Sequence, residues 1–262
     1  MTSDVTSDIH GAVLSSLVAA IGRARLASEP FSHVYLENPF PPDIYGQMID
    51  GLPGLECFSP DNPPKYGATA RRFHAPSDGA PAPASCRYTM PLNDENLVPV
   101  PEARRAVWAG VAAALTSDEL KSRIFTPFAA DLCRRFRTDR SGLLRMPAYP
   151  RPTLIRDLSG YWIAPHPDSR AKIVTVQFYL ARDRSQHALG TTLYRRRLLN
   201  PRVLLSLSNA FEPVRQLEFL PNSGYMFPVS SRSWHGRAEV PAGSGERNSI
   251  LLVYYRDPSR TW

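Results

Sequence analysis

From residue 143 onward the chain is a succession of short β-branched and aromatic runs, and that pattern leaves few folds open. The runs cover 143–146, 153–155, 161–163, 173–180, 191–194, 203–207, 214–219, 224–227 and 249–255, and each is bounded by Pro, Gly, Asn or Asp. Runs this short, repeating at this spacing, predict the strands of an all-β sandwich or barrel. The 26 prolines are about twice ordinary usage, which favours turns and extended segments over long helices.

The first half reads differently. Residues 8–26 carry Val13, Leu17, Ala20 and Ile21 at helical spacing behind an Asp or Ser cap. Residues 31–40 alternate like a strand and are stopped by Pro39, Pro41 and Pro42. Pro41-Pro42-Asp43 opens a short helix that ends near Leu52, before Pro53-Gly54. Residues 102–115 and 117–136 predict two further helices, the second with Asp118-Glu119 in its first turn and Arg134-Arg135 in its last. Between them and the early elements, residues 60–101 are rich in Pro, Asp, Asn and Ser without a sustained period, which predicts a long loop or lid anchored by Phe58, Tyr66, Phe73 and Tyr88. At 262 residues a single domain is the expectation: 1–140 mainly helical support containing the lid at 60–101, and 141–262 a β core.

A net charge of +7, dominated by Arg, includes the runs Arg104-Arg105, Arg134-Arg135 and Arg195-Arg196-Arg197. Two readings stand, a solvated basic surface and attraction of an anionic small molecule; no basic tail of the kind that coats nucleic acid is present. Cys57, Cys86 and Cys133 are scattered without a C-x-x-C, as in a reducing compartment. Residues 12–21 are apolar, but Asp4 and Asp8 stand where a signal peptide would be basic, and the stretch reads as too short and Ser-rich to span a membrane. A cytoplasmic protein is expected.

Chemistry concentrates around residues 160–180. His166 and Asp168, two apart in an extended segment, present an imidazole and a carboxylate to the same side at the mouth of the run 173–180. Such a pair suits one metal ion, but an isolated H-x-D also arises by chance or as a surface ion pair. Further parts follow in order. Trp234-His235-Gly236 sits after a turn, with a Gly that permits close approach. Arg247 and Ser249, two apart at the start of an apolar strand, place a guanidinium beside a hydroxyl, a good grip for a carboxylate.

The ordered set H-x-D, distal His and R-x-S resembles the iron(II)- and 2-oxoglutarate-dependent dioxygenases. Residues 31–53 look like the opening strand and helix of their prolyl-4-hydroxylase-like branch, and Gly190-Thr191-Thr192-Leu193-Tyr194 resembles that branch's G-T-x-L-Y strand. The resemblance implies a double-stranded β-helix core (jelly roll, cupin-like) with supporting N-terminal helices, an α+β, mainly β fold. It implies Fe(II) held by His166, Asp168 and His235, and 2-oxoglutarate held through its far carboxylate by Arg247 and Ser249. Oxygen would be the oxidant and ascorbate an accessory reductant. In related halogenases the carboxylate is replaced by Gly or Ala, so Asp168 implies an oxygenase of hydroxylase type.

Arg156 stands where that branch often has a Tyr, and either pairs with Asp157 or reaches an anionic substrate. Gln177 and Tyr179 share a strand face with Thr175 and are candidate pocket lining; Trp234 is a fourth candidate substrate contact. His33, His74 and His187 lack a partner at ligand spacing. The expected substrate is an anionic or zwitterionic small molecule, such as an amino acid or a specialised-metabolite intermediate, with hydroxylation, desaturation or cyclisation as outcome. The alternatives are hydroxylation of a protein- or carrier-bound residue, and a non-catalytic β-sandwich binding module.

Overall fold

A computed structural model of the protein describes residues 2–61, 85–197 and 210–260. The strand expected at 203–207, His74, Tyr66, Phe73 and most of the lid expected at 60–101 lie outside the described residues. The elements, in chain order, are α1 (Thr2–Arg23), β1 (Leu26–Ala27), β2 (His33–Glu37), α2 (Pro42–Asp50), β3 (Ser59–Pro60), β4 (Arg87–Pro91), α3 (Asp94–Leu97), α4 (Glu102–Leu115), α5 (Asp118–Phe125), α6 (Ala129–Phe136) and α7 (Arg140–Arg145). There follow β5 (Tyr149–Asp157), β6 (Ile163–His166), β7 (Lys172–Tyr179), β8 (Thr191–Arg196), β9 (Phe211–Leu217), β10 (Ser223–Pro228), β11 (His235–Arg237) and β12 (Arg247–Tyr255).

Local chemistry explains most boundaries. Pro42 sits in the first turn of α2, where its missing N–H costs nothing. Ser117 caps α5 by accepting the Leu120 N–H, and Asp118 and Glu119 face its positive end. The single helix expected over 117–136 is two, because Pro127 tightens residues 126–128 into a 3-10 turn between α5 and α6. The strand expected at 143–146 is instead helix: Asp139 accepts the Gly142 N–H and starts α7, and four apolar residues were too few to set a period against that cap. The lid expectation fails over 85–101, where β4 forms and Asn93 caps α3. Arg87 to Pro91 pair with β5, a partner that lies more than 60 residues away in sequence.

Among the described residues all strand pairs are antiparallel. The larger sheet runs β1-β2-β10-β7-β12-β5-β4-β3 and the smaller β6-β11-β8-β9. Alternation gives the larger sheet two unlike faces. Val174, Val176, Phe178, Leu154, Met226, Ile250, Leu252 and Tyr254 pack with α1 and the helices α4 to α6 in one core. Tyr179, Tyr225 and Phe227 pack on the other face with Leu193 and Leu217 of the smaller sheet. Each buried large apolar side chain contributes roughly 1.5–3 kcal/mol. The helical layer therefore anchors the sheet, and its inner face can carry polar groups.

By length and composition, residues 5–23 of α1 could cross a membrane, which corrects the reading of this stretch as too short. In the fold Ile9, Val13, Leu17 and Ile21 are buried in the helical core. The approach of α1 to α4 is set by Gly110: a Cβ there would lie 2.7 Å from Ile9 Cγ2 and 3.0 Å from the Thr6 carbonyl oxygen. Gly11, by contrast, has open space around its missing Cβ. Gly110→Ala should therefore lower stability by about 1–3 kcal/mol through overpacking. Gly11→Ala should raise it by about 0.5–1 kcal/mol through helix propensity. Thermal unfolding of the two variants checks the opposite signs.

Candidate metal centre

β6 ends at His166, and Pro167, which has no N–H to offer a ladder, begins the turn that carries Asp168. β11 opens with His235, and the register sets His235 directly opposite His166. The two imidazole centroids are 4.5 Å apart. Gly236 makes this possible: a Cβ there would come within 2.8 Å of the Ile163 carbonyl oxygen, so it is the neighbouring strand that needs the glycine. One ligand atom each from His166, Asp168 and His235 lie within 4.8 Å of one another.

Both imidazoles are oriented by backbone. His166 Nδ1 lies 2.9 Å from the Ala164 carbonyl oxygen and His235 Nδ1 3.0 Å from that of Ser233. Donation of Nδ1–H to a carbonyl leaves Nε2 as the free lone pair, the arrangement usual for a ligating histidine. Asp168 is held at both oxygens, by Lys172 Nζ at 2.5 Å and Thr175 Oγ1 at 2.6 Å. Burial, and then the neighbouring His235, push His166 down to about 4. Burial also lowers His235, against the opposing charge of Asp168. For Asp168, burial alone would raise the carboxyl; the Lys172 ammonium, His235 and the two hydrogen bonds outweigh it and hold the group below its ordinary range. Two neutral imidazoles and one ionised carboxylate on one side of a centre are the donor set of a two-histidine, one-carboxylate iron(II) site, and the residues fit that ion.

Next to this centre lies a buried cluster of guanidinium groups. Asp157, fully buried, is bound by Arg87 through two hydrogen bonds of 2.7 and 3.0 Å. Arg247 Nη1 donates to its Oδ2 at 2.9 Å and Arg247 Nε to the Leu189 carbonyl at 2.8 Å. The Arg247 guanidinium rests on the rings of Tyr179 and Phe219, 5.3 and 5.0 Å from their centroids. Ser249 Oγ accepts from Gln177 Nε2 at 2.9 Å, and Gln177 Oε1 accepts from Tyr225 OH at 2.7 Å. With its acceptor side engaged, the Ser249 hydroxyl proton is available to a ligand. Tyr179 OH meets the Leu217 carbonyl at 3.4 Å and accepts the Thr191 N–H at 3.1 Å, so its ring lines the site while its hydroxyl is committed.

The structure does not bring Arg156 or Trp234 to this place. Arg156 points to the helical face, donating to the Pro53 carbonyl at 2.8 Å and to Asn248 Oδ1 at 3.2 Å and stacking on Phe58. The period of two explains it: Asp157 and Arg156 are neighbours on β5 and face opposite ways. Trp234, next to inward-facing His235, likewise turns out and packs on Phe211. The basic runs are spent locally: Arg195 on Glu29 and Glu212, Arg105 on the Val98 and Val100 carbonyls. Arg23, Arg25, His33 and Arg215 line a cavity of about 440 Å³ that includes none of the triad. Thr175, already placed by the sequence on the face of Gln177 and Tyr179, stands beside the triad and Arg247, as do Lys172, Asp157 and Arg237, to which the sequence reading gave no place at the site. Arg237 could have been found from its spacing of two from His235.

No family model and no curated protein matches the chain. Its structure is similar to a prolyl hydroxylase from Trichoplax adhaerens in complex with a hypoxia inducible factor oxygen degradation domain peptide fragment, at 14% identity and a TM-score of 0.50, over 97% of this chain and 92% of that one. It is also similar to a Pseudomonas putida prolyl-4-hydroxylase (10% identity, TM-score 0.47, 93% and 99% covered). A third is a dioxygenase for auxin oxidation in rice (14% identity, TM-score 0.48, 92% and 78% covered). The first of these likenesses shows the fold, mixed helix and antiparallel sheet, that the chain shares with a prolyl hydroxylase.

His166→Ala and His235→Ala should each weaken Mn(II) or Co(II) binding, read by calorimetry, by at least about tenfold, as loss of one ligand does. Because both imidazoles are already neutral at neutral pH, wild-type affinity should stay nearly flat from pH 8 to 6 and fall as pH approaches 4. The lowered His166 pKa has a second consequence. The unfolded chain takes up a proton below about 6.5 that folded His166 refuses. The metal-free protein should therefore lose stability as pH falls from about 6.5 towards 4, and thermal melts across that window check it.

Proposed function

We propose that this chain is an iron(II)- and 2-oxoglutarate-dependent oxygenase, a single domain over 1–262 whose catalytic core is a jelly roll within 141–262. In support, β5, β12, β7 and β10 adjoin in one sheet and β6, β11, β8 and β9 form the other, so that the chain passes repeatedly between two facing sheets. The observation that carries the activity is a triad of His166, Asp168 and His235 beside buried arginines with unmet hydrogen-bond donors, on the fold of a prolyl hydroxylase.

When bound, iron(II) and 2-oxoglutarate would supply oxidation of a substrate C–H bond by O2, with release of succinate and CO2. The chain's residues do the positioning. His166, Asp168 and His235 hold the ion from one side. Thr175 fixes one Asp168 oxygen, and Lys172 balances the other. Arg247 and Ser249 take the far carboxylate, with Ser249 oriented by the Tyr225–Gln177 relay. Phe227, 4.8 Å from the His235 ring, and Tyr179 form apolar walls that keep water from the reacting centre. Asp168 fills the position a halide would need, so the reaction is hydroxylation, desaturation or cyclisation, and ascorbate serves as an accessory reductant.

The substrate in this reading is an anionic or zwitterionic small molecule, supported by the net charge of +7. A second reading, a peptide- or carrier-bound residue as substrate, is favoured by the likeness to a prolyl hydroxylase seen with a peptide. Cys57, Cys86 and Cys133 are in no disulfide among the described residues, which supports a reducing, cytoplasmic setting.

Succinate formation that requires both iron(II) and 2-oxoglutarate, measured across a panel of amino acids and peptides, tests the reading. Its absence under every condition, with metal bound, would instead indicate a non-catalytic binding module. Arg247→Met should raise the 2-oxoglutarate KM about 10–100-fold, the worth of a charge-assisted hydrogen bond pair.

A further inference from the structure

Arg237 follows His235 by two residues on β11, so both side chains point between the sheets. It is 5% exposed and Arg247 1% exposed. Both donate to one oxygen, the Leu189 carbonyl: Arg237 Nη1 at 3.3 Å and Arg247 Nε at 2.8 Å. The two guanidinium groups therefore converge on a single place.

The charge there does not balance. Asp157 carries one negative charge, and Arg87 and Arg247 share it. Arg237 makes no ion pair among the described residues. Arg237 Nε and Nη2 and Arg247 Nη2 are buried without any hydrogen-bond partner. Buried guanidinium groups are ordinarily paired, because desolvating an unpaired charge is costly. A water could bridge the orphan donors but would leave the charge uncompensated. A carboxylate would satisfy both needs, since it accepts from several N–H groups in one plane. Arg247 already gives Nη1 to Asp157 and Nε to the Leu189 carbonyl, so Nη2 is its one nitrogen without a partner, and a carboxylate arriving there is best completed by a donor from a second residue.

We propose that Arg237 supplies that second donor, so that the far carboxylate of the co-substrate is clamped between Arg237 and Arg247 rather than by Arg247 and Ser249 alone. This rests on the oxygenase reading. It also makes the site selective for a 2-oxo dicarboxylate over a 2-oxo monocarboxylate, since only the former neutralises the pair. Without co-substrate, Arg237 is a buried cation that makes no ion pair among the described residues, and the fold bears that cost for the sake of the site.

The test is calorimetric binding of 2-oxoglutarate and of 2-oxobutyrate, without O2, to Mn(II)-loaded wild type, Arg237→Met and Arg237→Lys, together with thermal melts of each metal-free protein. Arg237→Met should weaken 2-oxoglutarate by at least about tenfold, leave 2-oxobutyrate and Mn(II) within about twofold, and raise the metal-free Tm. Arg237→Lys should fall between it and wild type, and it answers the question alone if the Met variant does not fold. Undiminished 2-oxoglutarate binding in both variants, or equal loss for both oxo acids, overturns the clamp while the oxygenase reading stands. Wild type that binds Mn(II) but neither oxo acid overturns the oxygenase reading itself, and the clamp with it.

Discussion

The pairing of β11 with β6 is the constraint on which the site depends. It sets His235 opposite His166, and it holds only because Gly236 lets the β6 backbone pass where any side chain would collide. A slip of β11 by one residue would turn His235 away from the space between the sheets and from His166. Everything else at the centre is arranged around that register. Asp168 hangs from the end of the same strand, Thr175 rises from the facing sheet to hold it, and Phe227 closes the side behind His235.

The loop that carries Asp168 is also held from the helical layer. Arg135, at the end of α6, donates to the carbonyl oxygens of Arg170, Lys172 and Val229 at 2.8, 2.9 and 2.5 Å. A cation at a helix C-terminus meets the negative end of the dipole, and here its fork also binds the backbone next to the metal motif. The helices thus do more than cover the sheet. They fix the segment between β6 and β7, on which the position of Asp168 depends.

Charge is distributed unequally across the larger sheet. The helical face is almost wholly apolar, while the inner face carries Asp157, Thr175, Gln177, Arg247 and Ser249 within a few residues of one another. Such a face is a liability without ligands, because its groups were desolvated on folding and three arginine nitrogens stay unmet. A dicarboxylate and a divalent cation would bring the missing charges of both signs. Stability and binding are therefore coupled at this site in the manner expected when ligand binds only the folded state.

The sequence alone was enough to single out His166, Asp168 and His235, which the fold brings together, because H-x-D at a strand end and a later His beside Gly are local patterns, as is R-x-S at the start of an apolar strand. It was enough also for most strands and helices, whose caps and periods are local. It could not show which face of a strand looks inward. Arg156 and Trp234, chosen as substrate contacts, are one residue out of phase with Asp157 and His235 and point away. Nor could it find β4, whose hydrogen bonds go to β5 far along the chain, or place a helix at Arg140–Arg145 where four apolar residues carried no usable period. Residue identity and local spacing determined which chemistry the chain could hold. Only the tertiary structure decided which charges share a space, since Arg87, Asp157, Arg237 and Arg247 come from four strands and meet through packing, on which sequence separation has no bearing.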